Sequence, residues 1–180
     1  LDYFEKKNIN YYLVPNKKKL SKKKVKEINL LIIPGGNDVS NILNTSKIRN
    51  NIEKNLIKIC FKKKIPILGI CRGAQLLNKS FGGKIKKIKK HMRTRHNIFF
   101  TNREIIKKKF LNVNSFHNDG IKKNDLSKLF KVVASDKNKN IEMFISNDKK
   151  IIGTMWHPER EKSTFLLDIL INYLNKKWKL

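Results

Sequence analysis

At 180 residues the chain has the length of one globular domain with a single core, and its formal charge of +28 invites a polyanionic partner. That charge comes from 36 Lys and six Arg beside 22 Asn and 24 Ile, residues with A/T-rich codons, whereas surfaces that read nucleic acid lean on Arg for bidentate contacts. Composition therefore argues against specific nucleic-acid recognition, two cysteines argue against a disulfide framework or paired zinc ligands, and no apolar run approaches the roughly 20 residues of a membrane span. The expectation is a cytoplasmic protein with a small-molecule partner and no membrane contact.

The opening Leu1-Asp2-Tyr3-Phe4-Glu5-Lys6 reads as the last turns of an amphipathic helix, which implies a sequence that begins inside an element. Residues 10–14 read as a short strand closed by Pro15-Asn16, and 17–27 as a charged connection. Residues 29–33 form a continuous apolar run of the kind buried on both faces of a parallel sheet, and Pro34-Gly35-Gly36-Asn37-Asp38 ends it sharply. Apolar residues at 48, 52, 56, 57, 59 and 60 mark one face of a helix, and 65–70 form a second all-apolar strand. Strand, helix, strand predicts a parallel pair joined by a crossover. A helical pattern over 72–81 stops at Gly82-Gly83. Strands are predicted around 97–101, 110–115, 129–134, 141–146 and 150–156, the last two joined as a hairpin by Asn147-Asp148-Lys149-Lys150, and 164–178 close as an amphipathic helix. The predicted fold class is α/β, a three-layer sandwich around a mostly parallel mixed sheet, with 1–180 as one domain.

The chemistry concentrates in four segments. In Gly69-Ile70-Cys71-Arg72-Gly73 a buried strand runs into a helix through a cysteine flanked by glycines, the recipe for a nucleophile elbow. That turn holds the thiol over a helix N-terminus, where a lowered pKa and oxyanion-stabilising N–H groups are expected. Cys60 instead falls on the apolar face of a helix and reads as core. In Trp156-His157-Pro158-Glu159 a strand delivers a histidine to its end with a carboxylate two residues on, which suits a general base and the group that orients it. The Pro34–38 segment exposes backbone N–H groups that can complete an oxyanion hole, bind a carboxylate or form an ordinary turn. Asn114-Ser115-Phe116-His117 places polar groups after a short strand, where a lone histidine is more often structural than catalytic.

Together, Gly69-Ile70-Cys71-Arg72-Gly73-Ala74-Gln75 and Trp156-His157-Pro158-Glu159, supported by the other two segments, resemble the class I glutamine amidotransferase-like family, especially its γ-glutamyl hydrolase branch. The resemblance runs from about residue 10 to the end. It implies a flavodoxin-like fold, a catalytic triad of Cys71, His157 and Glu159, and an oxyanion hole on the N–H groups of Gly36 and Arg72. It also implies substrate contacts from Gly35, Asn37, Gln75, Ser115, Phe116 and His117. No metal or organic cofactor is implied. The implied activity is thioester-mediated hydrolysis of a γ-glutamyl amide, with γ-glutamyl-CDP-amidate or γ-glutamyl-GABA as substrates. Two other readings remain: a glutaminase subunit that feeds ammonia to a synthase partner, and an inactive basic binding module. Family members carry a further sheet strand ahead of the point where this sequence opens, so the resemblance implies an N-terminally truncated chain.

Overall fold

The computed structural model describes residues 2–15, 20–36, 44–148 and 150–176. Its centre is a seven-stranded sheet. Along one edge run β1 (Leu31–Ile33), β2 (Ile67–Ile70) and β9 (Ile151–Thr154), all parallel. The sheet continues through β8 (Ile141–Ser146), β7 (Phe130–Asp136), β4 (Thr94–Phe100) and β5 (Phe110–Ser115), each antiparallel to its neighbour. The sheet is mixed as predicted, but its parallel character is confined to the β1–β2–β9 side. Short connections make β4–β5, β7–β8 and β8–β9 antiparallel, because only a crossover can join parallel neighbours, and β4 also runs antiparallel to β7. A second sheet pairs β3 (Lys86–Lys87) with β6 (Asp119–Gly120), two residues each and too short to leave a periodic signature.

Helices cover both faces. Helix α3 (Asn44–Lys62) is the crossover between β1 and β2, and with α4 (Arg72–Ser80) it packs Leu56, Ile57, Leu76 and Leu77 against Ile67, Ile151 and Phe144. On the other face α5 (Phe165–Lys176) packs Leu167, Leu170, Ile171 and Leu174 against Leu68, Ile70, Ile152 and Trp156. Ile67 and Leu68 thus enter opposite clusters, as the period of two in a strand requires. Each fully buried Leu or Ile contributes about 1.5–3 kcal/mol, which fixes the register of this edge. Tyr3 of α1 (Asp2–Lys6) joins the α5 layer by donating its hydroxyl to Asp168 at 2.7 Å.

Two expectations fail. Residues 10–14 form no strand: the segment pairs with no neighbour in the sheet, and Tyr12 and Leu13 are exposed. Strand-like composition alone does not make a strand when the segment pairs with neither open edge of the sheet, β1 or β5. The charged connection that follows contains a short helix, α2 (Lys22–Lys26), started by Ser21, whose hydroxyl accepts the Lys24 N–H. Asn37, Asp38 and Lys149 lie outside the described residues.

Candidate active site

The sharp turn from β2 into α4 is built around Cys71, which adopts φ +50° and ψ −107°. This left-handed-side geometry costs a non-glycine residue on the order of 1–3 kcal/mol and persists only where packing over-determines it. The packing is visible at the flanking glycines. A Cβ on Gly73 would lie 2.0 Å from the Ile33 carbonyl oxygen, and one on Gly69 would lie 2.8 Å from the Gly73 carbonyl carbon. Both backbones approach closer than any side chain permits. The Cys71 N–H donates to the Thr154 carbonyl at 2.7 Å, which ties the turn to β9.

The Arg72 N–H faces the Cys71 sulfur, while the Arg72 guanidinium turns away and is buried against Glu53 at 2.6 Å and the Asn50 amide. Glu53 also accepts from Arg49 at 2.8 Å, and Arg49 reaches the Gly35 carbonyl at 3.2 Å. This chain of contacts anchors the loop after β1 to the elbow. The expected low thiol pKa is not what this environment produces. Burial pushes the Cys71 thiol up to about 12, the Arg72 N–H pulling it down and the Glu159 carboxylate adding to the rise. Desolvation outweighs the helix N-terminus, so the resting sulfur is a neutral thiol. Cys60 is fully buried in α3, as its place on the apolar face predicted.

His157 follows β9 and accepts a partner at once: its Nδ1 lies 2.6 Å from Glu159 Oε1, within a 3-10 turn over Pro158–Arg160. Pairing of Nδ1–H with the carboxylate leaves Nε2 as the lone-pair nitrogen. Strand order decides where that nitrogen can act. Strand β2 lies between β1 and β9, in register Ile33 with Gly69 and Ile70 with Thr154. The imidazole, carried by β9, touches Gly35 beyond β1, where an added Cβ would meet its Cε1 at 2.5 Å. To do so it must span the end of the strand between them, which is where Cys71 stands. Residues 71 and 157 are therefore gathered at one carboxyl edge of the sheet.

The other predicted contacts divide. Phe116 meets His157 edge to face at 5.7 Å and carries the Arg160 guanidinium on its ring at 5.1 Å, so it walls the site. Gln75, Ser115 and His117 are buried, and each binds a backbone carbonyl: Gln75 Nε2 and His117 Nδ1 that of Asp119, Ser115 that of His91 at 2.6 Å. They brace the loops around the site in this state. Gly35 and Gly36 close the described part of the β1 loop.

Sequence reasoning missed Asn114. Its Oδ1 accepts the His157 N–H at 2.9 Å and its Nδ2 donates to the His157 carbonyl at 2.8 Å and to Glu161 at 2.7 Å. Asn114 thus clamps the backbone of the histidine from both sides. Its only signal was its place beside Ser115, and its partner lies 43 positions away. Glu53 was missed for the same reason.

Residues 1–176 match the family model for glutamine amidotransferase class-I. The chain belongs to that family. Curated relatives of this amidotransferase-family chain include the γ-glutamyl-CDP-amidate hydrolase of Campylobacter jejuni, 40% identical over 157 residues that cover 84% of this chain and 70% of the relative. They also include the glutamine-hydrolysing GMP synthase of Limosilactobacillus reuteri, 34% identical over 84% of this chain but only 29% of the synthase. Among solved structures, a glutamine amidotransferase from Thermotoga maritima superposes with a TM-score of 0.74, covering 99% of this chain and 76% of that one at 21% identity. The last likeness speaks for the fold. Among the described residues no helix is long and apolar enough to cross a membrane.

Proposed function

We propose that this chain is a cysteine hydrolase that cleaves a γ-glutamyl amide and releases glutamate, with Cys71 as nucleophile, His157 as base and Glu159 as the group that orients it. The observation that carries the reading is the convergence of the strained Cys71 elbow with the His157–Glu159 pair, 2.6 Å apart, at one sheet edge. Because the resting thiol is neutral, attack requires His157 to take the thiol proton as sulfur bonds to the γ-carbonyl carbon. The oxyanion so formed would face the N–H groups of Arg72 and Gly36. Collapse breaks the C–N bond, and the His157 proton leaves with the departing nitrogen. Water, deprotonated by His157, then attacks the γ-glutamyl thioester; glutamate departs and the thiol regains its proton.

The finer choice of leaving group rests on a second feature. Beside Phe116 and Asn114 opens a cavity of about 520 Å³ whose wall includes Arg93, Arg95 and Arg160. Half of the six arginines of the chain meet here, although Arg95 is shared with Glu161 at 3.1 Å. Guanidinium groups are the side chains best matched to phosphate oxygens. A nucleoside diphosphate on the leaving nitrogen, as in γ-glutamyl-CDP-amidate, fits this wall better than the single carboxylate of γ-glutamyl-GABA. The relative from C. jejuni supports the same choice. Asn37, outside the described residues, keeps its proposed place in the glutamyl subsite with Gly35.

Chromatographic assay of purified protein with γ-glutamyl-CDP-amidate, γ-glutamyl-GABA and glutamine tests both levels. The expected result is glutamate release from the first at a kcat/KM at least about 100-fold above the others. Arg160→Ala should raise KM for the nucleotide substrate about tenfold and leave γ-glutamyl-GABA unaffected. Turnover of glutamine alone would overturn the hydrolase reading in favour of a glutaminase subunit, the reading that GMP synthase relatives favour. An inactive binding module is disfavoured because cysteine, histidine and carboxylate are all present.

A further inference from the structure

Three of the four histidines of the chain meet in a cluster of their own, apart from the His157–Glu159 pair. The rings of His91 and His96 lie 4.6 Å apart and those of His91 and His117 5.1 Å apart. Between them stands Glu142 of β8, fully buried in a chain that carries only 14 acidic residues against 42 basic ones. His91 Nε2 and His96 Nε2 each lie 3.4 Å from Glu142 Oε1, and Asp136 Oδ2 is 3.1 Å from His91 Nε2. Neither Glu142 oxygen, neither nitrogen of His96, nor His91 Nε2 makes a hydrogen bond among the described residues. Buried polar atoms left this way are costly and call for an explanation.

From these positions we infer a binding site for one divalent transition-metal ion of the zinc type, held by His91, His96 and Glu142, with Asp136 within reach as a fourth ligand. The donor atoms of the first three lie within 4.8 Å of one another. Tetrahedral coordination at Zn–N and Zn–O lengths near 2.0–2.1 Å puts neighbouring donors roughly 3.3 Å apart, so the observed spacings need little adjustment. The orientation of His91 is also set. Its Nδ1 donates to the Lys89 carbonyl at 2.9 Å, which turns Nε2 towards two carboxylates. A second hydrogen bond of this kind is the usual companion of a metal-ligating histidine. A metal ion that displaces the proton Nε2 would otherwise share with these carboxylates would be met by lone pairs from the ring and from both acids. Access exists as well: His91, His96 and Asp136 line a cavity of about 410 Å³.

The ion would act as a clamp. The His91 carbonyl accepts the Ser115 hydroxyl and, at 3.2 Å, the His117 N–H, while the Glu142 carbonyl accepts the Met155 N–H at 2.8 Å. One bound ion would thus tie the segment before β4, the 115–117 turn and the strand leading to His157. The same His91 that binds it holds Ser115.

The test uses tag-free, chelator-treated protein in the Cys71→Ser background, which removes the thiol as a competing ligand, titrated with Zn²⁺ and separately with Co²⁺. The expected result is one equivalent bound, a visible Co²⁺ band of four-coordinate intensity, and a rise in Tm of about 5 °C in excess Zn²⁺. Glu142→Gln and His96→Gln should each lose the band and the shift. His96 is partly exposed, so its variant reports even if the buried Glu142→Gln fails to fold. Absence of binding at about 100 μM metal, far above the dissociation constant expected of a structural zinc site, would overturn the proposal. So would binding that survives His96→Gln. The cluster would then be a metal-free buried network of histidines and carboxylates. Neither result bears on the hydrolase reading, which the substrate assay decides independently.

Discussion

The two sides of the sheet solve different problems. On the parallel side, β1, β2 and β9 end together, and each strand end hands a short contiguous motif to the same edge: Gly35, Cys71, His157. On the antiparallel side, His91, His96, Asp136 and Glu142 converge from the chain before β4, from β4, β7 and β8, with no motif longer than one residue. Parallel strands joined by crossovers bring like ends together, so a reactive group written at a strand end reaches the site with its supporting glycines attached. Hairpin-linked strands meet along their lengths, and their clusters are written one residue at a time. The first side strains its backbone to present a thiol; the second buries charge and histidine with polar atoms unspent.

The sharpest way to break this contrast is at the parallel edge. Cys71→Ala should abolish turnover by about 10⁴-fold or more while moving stability by less than about 1 kcal/mol, read by initial rates and thermal unfolding. Retained activity would leave the elbow as mere architecture. Next in size is Gly73→Ala, whose Cβ would fall 2.0 Å from Ile33 O. It should destabilise the fold by roughly 3 kcal/mol, visible as a lowered denaturation midpoint, because backbone and not a pliable side chain is struck.

Gly35→Ala separates geometry from stability. Its Cβ would meet the imidazole at 2.5 Å, so kcat should fall by about 100-fold with little change in Tm, since displacing a base by a fraction of an ångström costs rate far more than packing. An equal loss of both would make Gly35 a packing residue only. The smallest effect concerns protons. Burial holds the Cys71 thiol up to about 12, and a raised pKa means less thiolate at any neutral pH. Iodoacetamide labelling of Cys71, followed by peptide mass spectrometry, should therefore be slow at pH 7 and climb about tenfold per unit to about pH 10 without levelling off. Levelling off above about pH 9 would show a thiol no different from a free one.

What the sequence discloses follows the same division. The elbow and the His157–Glu159 pair are local: glycines two residues either side of Cys71 and a carboxylate two residues past His157 can be read without knowing the fold. The strands at 67–70, 110–115 and 141–146 are equally legible, because burial on one or both faces writes itself as apolar runs or alternation. Asn114 is not legible, since its partnership with His157 exists only once β5 and the chain beyond β9 are folded. Nor is Glu142, an acidic residue in a strand buried throughout its length. Residues 10–14 mislead in the other direction, carrying strand-like side chains while pairing with no strand among the described residues. The thiol pKa was misjudged because a helix N-terminus can be inferred from sequence and the depth of burial cannot.

The most direct measurement is covalent trapping. Purified protein incubated with a γ-glutamyl substrate and quenched in acid, or treated with an electrophilic glutamine analogue, should yield a single adduct by intact-mass analysis. Peptide mapping should place it on Cys71, and it should be absent from the Cys71→Ala protein. An adduct on Cys60, or full turnover with Cys71 blocked, would contradict the account.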